Sequence, residues 1–210
     1  MKIQVGINTA KSDDFVTEVK QWVFQEQVDG RNLTDIINTE HENVKYLPGY
    51  KLPTNVRAIP DAVEVVKDCD IIVIVLPHQF LPRLLESIKA DVKSTAVVVS
   101  LIKGQLDIAI PSGENENPRI QLGSELISSA LNVPCGVLMG ANVASNVAAQ
   151  EFTESTLAIP ERDHAKIGER LLEATRAVFD LPTFPIQLIG DLPTAEICGG
   201  LKNVVALGAG

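Results

Sequence analysis

The stretch Ile71-Ile72-Val73-Ile74-Val75-Leu76 is apolar at every position and β-branched at all but the last. A half-exposed strand alternates apolar with polar residues, so an unbroken run of this kind belongs in a sheet covered on both faces. Outward from it, short β-branched runs alternate with longer segments of helical period, the pattern of strands feeding crossover helices into a parallel sheet. Strands are predicted near Lys2–Val5, Val19–Phe24, Asp70–Leu76, Thr95–Leu101, Val133–Met139 and Pro185–Ile189. Helices are predicted over Thr34–Thr39, Ala62–Lys67, Phe80–Ala90, Gln121–Leu131, Asn142–Glu151 and Asp163–Phe179. The fold class is α/β, a mostly parallel sheet with flanking helices.

The chain has 210 residues, of which 45% are hydrophobic, enough for one well-filled core and part of a second. Its net charge of -9 excludes a broad nucleic-acid footprint or attraction to an anionic membrane, both of which need clustered lysine and arginine. An anionic ligand must be met by a few placed cations or by backbone N–H groups. The cysteines Cys69, Cys135 and Cys198 read as reduced core thiols, and with His41, His78 and His164 scattered they give no zinc-binding spacing. The N-terminus lacks an apolar signal core, and the run Ile71–Leu76 is far too short to span a bilayer, so the expected location is the cytoplasm.

Ligands of parallel sheets sit beyond the carboxyl ends of the strands. There this chain offers Pro77-His78-Gln79-Phe80, then Ile102-Lys103-Gly104, then Gly140-Ala141-Asn142: a stacking ring, an ammonium and a turn opening a helix. The segment Asp107–Pro118 reads as an exposed surface insertion. A boundary falls at Gly190-Asp191-Leu192-Pro193-Thr194, where Asp191 or Thr194 can cap the last helix and Pro193 suits its first turn.

That last helix puts Lys202 in the middle of an apolar, glycine-rich run, Ala195 to Gly210. Gly199 and Cys198 lie one turn behind the lysine and Val205 and Ala206 one turn ahead, so its face carries small side chains that a substrate can approach. Taken alone, the segment favours the plainer reading, a lysine snorkelling out of a core helix.

Six stretches narrow the choice: Trp22-Val23-Phe24; Ile36 through Gly49 (Ile-Ile-Asn-Thr-Glu-His-Glu-Asn-Val-Lys-Tyr-Leu-Pro-Gly); Leu76-Pro77-His78-Gln79-Phe80; Ser100-Leu101-Ile102-Lys103-Gly104; Leu138-Met139-Gly140-Ala141-Asn142; and Glu196 through Ala206 (Glu-Ile-Cys-Gly-Gly-Leu-Lys-Asn-Val-Val-Ala). In this order they closely resemble eukaryotic NAD-dependent glycerol-3-phosphate dehydrogenase, from about Val19 to the last residue. The resemblance implies a Rossmann-type NAD-binding domain over 1–190, and over 191–210 the first helix of an all-helical substrate domain. It also implies reversible hydride transfer between NADH and dihydroxyacetone phosphate, giving sn-glycerol 3-phosphate, in a cytoplasmic enzyme that is a homodimer when intact. By position, Lys202 corresponds to the catalytic lysine, Lys103 to its partner at the substrate and Asn203 to a substrate-contacting asparagine. Phe24, Phe80 and Ala144 fall on cofactor-contacting positions; the carboxylate for the adenosine ribose is expected just past Phe24, where the family carries an acid at the first position too and this chain has Gln25 then Glu26, so Glu26 is chosen. Hydride arriving at a carbonyl carbon drives negative charge onto the oxygen, so a cation or proton donor is needed there. A dry pocket and a second ammonium at Lys103 are expected to ease proton donation from Lys202. His78 is left as a supporting residue.

The resemblance fails at both ends. A dinucleotide fold of this type opens with a strand and a Gly-x-Gly-x-x-Gly turn whose bare backbone lets the pyrophosphate reach a helix N-terminus. Met1–Ile7 offers Gly6 alone, and about a dozen residues separate it from Val19–Phe24 where a βαβ unit takes roughly thirty. The aspartate, threonine and arginine that follow in the family have no counterpart before Gly210. The expectation is an incomplete copy of the dehydrogenase with impaired activity. Two other readings stand beside it: a different β-hydroxyacid-type dehydrogenase, against which the paired Ser-Leu-Ile-Lys-Gly and Leu-Lys-Asn-Val motifs argue, and a non-catalytic remnant acting as a binding or interaction module, which the missing glycine loop favours.

Overall fold

The computed structural model describes residues 2–11, 13, 15–103, 106–109 and 119–210. In chain order the elements are α1 (Lys2–Lys11), β1 (Val19–Trp22), β2 (Gln27–Val28), β3 (Arg31–Asn32), α2 (Leu33–Glu40), β4 (Val56–Ile59), α3 (Ala62–Val66) and β5 (Ile71–Ile74). A single 3-10 turn (His78–Phe80) leads into α4 (Leu81–Ile88), followed by β6 (Val97–Ser100), β7 (Leu106–Ala109), β8 (Arg119–Leu122), α5 (Gly123–Leu131) and β9 (Cys135–Gly140). The remainder is α6 (Ala144–Ala148), β10 (Ser155–Ala158), α7 (Glu161–Ile167), α8 (Glu169–Ala177), β11 (Ile186–Ile189) and α9 (Leu192–Ala209). The chain packs as two compact units, one of Met1–Lys67, Ala141–Ser155 and Arg170–Ile186, the other of Asp68–Gly140, Thr156–Glu169 and Gln187–Gly210.

The second unit is built on the apolar strands. Its sheet has the order β11-β10-β9-β6-β5, with β5, β6 and β9 parallel, Ile71 opposite Val97 and Val98 opposite Cys135. All four residues of β6 and the first five of β9 are buried, as a sheet covered on both faces demands, whereas β5, last in this sheet, alternates half-buried Ile71 and Val73 with buried Ile72 and Ile74, and Val75 beyond it is exposed. At Gly136 the strands come so close that a side chain has no room: an added Cβ would lie 2.9 Å from the Ala158 carbonyl oxygen and 2.7 Å from Ile159 Cγ1.

Four expectations change along these elements. Residues within the supposed insertion Asp107–Pro118 form part of β7, which pairs antiparallel with β8, Leu106 opposite Leu122 and Ala109 opposite Arg119; positions 110–118 lie outside the described residues. The residues of β8 alternate in polarity, and pairing with β7 draws Gln121 and Leu122 into a strand, so α5 starts at Gly123. The helix predicted over Asp163–Phe179 is divided into α7 and α8 at Gly168, whose φ of 80° lies in the left-handed region that glycine adopts without penalty. Of the thiols, Cys135 is buried and Cys69 partly so, but Cys198 is exposed, so it is not a core cysteine.

In the first unit β1 and β4 pair in parallel, Val19 opposite Val56 and Trp22 opposite Ile59. Val23, Leu33, Ile37, Leu52 and Ala58 form its core. Asn38 fastens α2 to β4 from both sides, donating to the Ala58 carbonyl at 2.9 Å and accepting from the Ala58 N–H at 2.7 Å. The predicted strand Lys2–Val5 is instead part of helix α1. A four-residue alternation is outweighed by the bonds made in the helical form: Thr9 Oγ1 donates back to the Val5 carbonyl at 3.0 Å, and Asn8 Nδ2 donates to the carbonyl of Ala177, the last residue of α8, at 2.9 Å and to that of Val178 just past it at 3.0 Å. Gly6 lets the helix lie against Pro53, whose Cγ would be 2.9 Å from an added Cβ. Among the described residues no helix is long and apolar enough to cross a membrane.

Gly136→Ala is expected to lower stability by about 1–3 kcal/mol through overpacking against backbone that cannot yield. A urea unfolding midpoint equal to that of the unsubstituted chain would contradict the close approach of β9 and β10.

Candidate functional site

The ends of β6 and β9 and the middle of α9 meet within the second unit. Beyond β6 the chain is turned by Ser100, a buried hydroxyl that accepts the Ile102 N–H at 3.2 Å, while Leu101 N–H donates to the Ile74 carbonyl at 3.0 Å. Ile102 is buried and Lys103 follows it into the open. Helix α9 starts at Asp191, whose Oδ1 accepts the Thr194 N–H at 3.2 Å, with Pro193 in its first turn, settling which residue caps it. Leu192 and Ala195 pack into a cluster with Leu122, Val137, Met139 and Ala158. Gly199 then allows contact with Met139 so close that an added Cβ would lie 2.8 Å from its Cγ.

One turn further along, Lys202 Nζ donates to the Gly140 carbonyl, the last of β9, at 2.7 Å. Its ammonium therefore does not snorkel freely to water; it is held at the end of the strand, within hydrogen-bonding reach of Lys103. Although Lys103 is exposed over much of its length, its proton affinity falls to about 8 from an ordinary 10.5. Partial burial of its ammonium is the first cause, and the neighbouring Lys202 charge and its hydrogen bond add to it. Two cations side by side, one fixed on a carbonyl and the other easily deprotonated, make a site suited to an anionic ligand and to proton transfer.

The first unit holds a separate cluster. Glu26, just past β1, pairs with Lys45, and Lys45 in turn lies 5.0 Å from the centre of the Tyr46 ring. Hydrogen bonds from Lys45 and Tyr46 hold the Glu26 carboxyl below the usual carboxylate range, and the same pairing raises Lys45. Phe24 presents its ring to water at 74% exposure, and Ala144 opens α6.

Residues 6–165 match the family described as NAD-dependent glycerol-3-phosphate dehydrogenase N-terminus. The chain belongs to this family. The cytoplasmic NAD(+) glycerol-3-phosphate dehydrogenase of Bos taurus is 44% identical over 207 residues, 98% of this chain and 55% of that protein. Among solved structures, glycerol-3-phosphate dehydrogenase from Saccharomyces cerevisiae superposes with a TM-score of 0.86 at 41% identity, over 99% of this chain and 57% of that one. The Plasmodium falciparum glycerol-3-phosphate dehydrogenase gives 0.83 at 36% identity, over 98% and 53%. The chain spans about half the length of the curated relatives it matches.

Of the residues singled out in this dehydrogenase-family sequence, Lys103 and Lys202 come together around Gly140. Asn203 is exposed on the same helix, and Phe80, 54% exposed, ends the 3-10 turn after β5 that also carries His78. Lys45 and Glu196 escaped the sequence reading. Lys45 lies inside one of the matched stretches, but its pairing with Glu26 depends on tertiary structure. Glu196 had a visible signal, since an acid in an apolar helix is as anomalous as the lysine six residues on.

Lys202→Met is expected to raise the Lys103 midpoint from about 8 toward its ordinary value without fully restoring it, because burial remains when the second ammonium is gone. Lysine side-chain NMR over a pH series reads this out, and an unmoved midpoint would contradict the pairing. Because the folded chain sheds this proton before the unfolded chain does, Lys103 should make stability rise as the pH goes from about 8 to 10.5.

Proposed function

We propose that the chain forms the NAD-binding part and the opening of the substrate site of an NAD-dependent glycerol-3-phosphate dehydrogenase, interconverting dihydroxyacetone phosphate and sn-glycerol 3-phosphate. The observation that carries this is the Lys103–Lys202 pair at the end of β9, in a chain belonging to that family. Residues 1–190 serve the cofactor and α9 begins the substrate-binding part. The relatives' names support a cytoplasmic location, and the assembly we assign is a homodimer.

Glu26 stays ionised and can accept ribose hydroxyls, while the exposed rings of Phe24 and Phe80 offer stacking surfaces and Ala144 a small side chain at a helix start. The pyrophosphate is not similarly provided for: the sequence has no Gly-x-Gly-x-x-Gly, and Gly6 is used inside α1 against Pro53.

When bound, the nicotinamide supplies the hydride. Lys202 then has the work at the carbonyl oxygen. Its ammonium has three N–H bonds, one committed to Gly140 and another within reach of Lys103, which leaves at least one for the oxygen on which charge develops. Giving up that proton completes the alcohol, and the reverse direction returns it to Nζ. Lys103, with its affinity near 8, can hold or release a proton beside Lys202 at working pH, and both charges favour the substrate phosphate. Asn203 supplies an amide to the substrate from the adjoining position.

A chimera in which residues 6–210 replace the matching segment of the bovine relative is expected to oxidise NADH in the presence of dihydroxyacetone phosphate. In it, Lys202→Met should lower kcat by about 10²–10³-fold with NADH affinity little changed, since the ammonium meets charge that appears only in the transition state. Near-normal turnover would remove Lys202 from the chemistry. The 210-residue chain by itself is expected to bind NADH only in the millimolar range by fluorescence titration; a micromolar Kd would show that a glycine-rich cradle is dispensable.

A further inference from the structure

We propose that Glu196 is a positioning residue: its carboxylate, fastened to the first turn of α5, sets how α9 lies on β9 and thereby holds the Lys202 ammonium at the Gly140 carbonyl beside Lys103. The proposal rests on the reading of Lys202 as the reacting ammonium only for its catalytic consequence; the geometric claim stands by itself.

Glu196, Gly199 and Lys202 follow at intervals of three, so they run along one side of α9. Each makes a different contact with the same unit. Glu196, 5% exposed, takes the Ser124 N–H on one oxygen at 3.1 Å and the Ser124 hydroxyl on the other. Gly199 brings the helix onto Met139. Lys202 reaches Gly140, next along β9 from Met139. The middle contact sets the depth of the helix but, as a glycine against a flexible side chain, fixes its rotation poorly. The outer two are directional bonds, so rotation and slide of α9 depend on them.

Placing a carboxylate here carries a cost. Burial drives the Glu196 carboxyl above the usual carboxylate range, and Glu125 adds repulsion, while hydrogen bonds from Ser124 and the Gly123 backbone pull the other way without cancelling the rise. The N-terminal turn of α5 is the suitable partner, because its N–H groups have no partners within the helix and its dipole favours negative charge. An apolar residue would pack at this position with less desolvation, but it would not select one orientation of α9. Nothing in the reading of Lys103, Lys202 and Asn203 uses this acid.

The test uses the 210-residue chain with lysine side-chain NMR, following the Lys103 midpoint in Glu196→Ala, Glu196→Gln and Ser124→Ala. Gly136→Ala serves as the control, since it strains the same sheet without touching α9. If Glu196 positions Lys202, removing it lets the second ammonium drift from Lys103, and the midpoint should rise by about one unit in Glu196→Ala, less in Ser124→Ala and Glu196→Gln, which keep part of the bond, and not at all in Gly136→Ala. A midpoint still near 8 in folded Glu196→Ala would overturn the proposal, as would an equal rise in Gly136→Ala. Should Glu196→Ala fail to fold, Ser124→Ala and Glu196→Gln decide in the same way. In the chimera, Glu196→Gln is expected to lower kcat with the KM for NADH unchanged. An inactive chimera with Glu196 intact would count against the dehydrogenase reading alone, whereas an unmoved Lys103 midpoint counts against the positioning claim alone.

Discussion

The docking of α9 on β9 is the constraint on which the site depends. A central strand buried on both faces leaves its last carbonyl, Gly140, at a fixed place at the strand's carboxyl end, and a helix that comes close enough can direct one ammonium proton to it. That closeness comes from the absence of a side chain at Gly199. With an ordinary side chain there, either the Met139 side chain or α9 would have to give way. The cation is thus fixed by backbone on one side and by packing on the other, which is the condition for aiming a charge with little reorganisation.

The electrostatics follow from this placement. In a chain with a net charge of -9, two ammonium groups within reach of one another need a local reason, and the fold provides it by presenting them from two different elements, the turn after β6 and the middle of α9. Their mutual repulsion is absorbed at Lys103, which is accessible and can release its proton, while Lys202 is tied to a carbonyl. An anion arriving between them would relieve the repulsion, so the same strain that costs the free protein something favours its ligand. Elsewhere in the second unit the charges are reversed: a buried acid meets the N-terminal turn of α5, again by pairing an element's unsatisfied backbone with a side chain from α9.

How much of this was legible in the sequence depended on whether each residue's environment was local. The strands β6 and β9 could be read because burial on both faces leaves an unbroken apolar run, and β5 because its run is as apolar, although its burial alternates and Val75 beyond it is exposed. By contrast, β4 and β10, at four residues each and with Arg57 or Ser155 and Thr156 inside them, look like loop until their neighbours are known. Helix α1 was misread because Lys2 to Val5 alternates like a strand, and the bonds that make it helical come from Asn8 to α8 and from Asn55 to Gly6 and Thr9, across the fold. Lys202 and Lys103 were legible through an anomaly, a charge among small apolar residues or at a strand end, sharpened by the flanking motifs. Glu196 offered the same anomaly, but its partner Ser124 lies 72 residues earlier, at a helix start that the hairpin of β7 and β8 shifts.

The central claim is that Lys103 and Lys202 form one site at the end of β9. The most direct measurement is cross-linking with difluorodinitrobenzene, which joins only amines a few ångströms apart, followed by peptide mass spectrometry. The account predicts a dominant bridge between the peptides carrying Lys103 and Lys202, weakened when phosphate is present in excess. A pattern in which both lysines are modified singly, or bridged only to other amines, would contradict it.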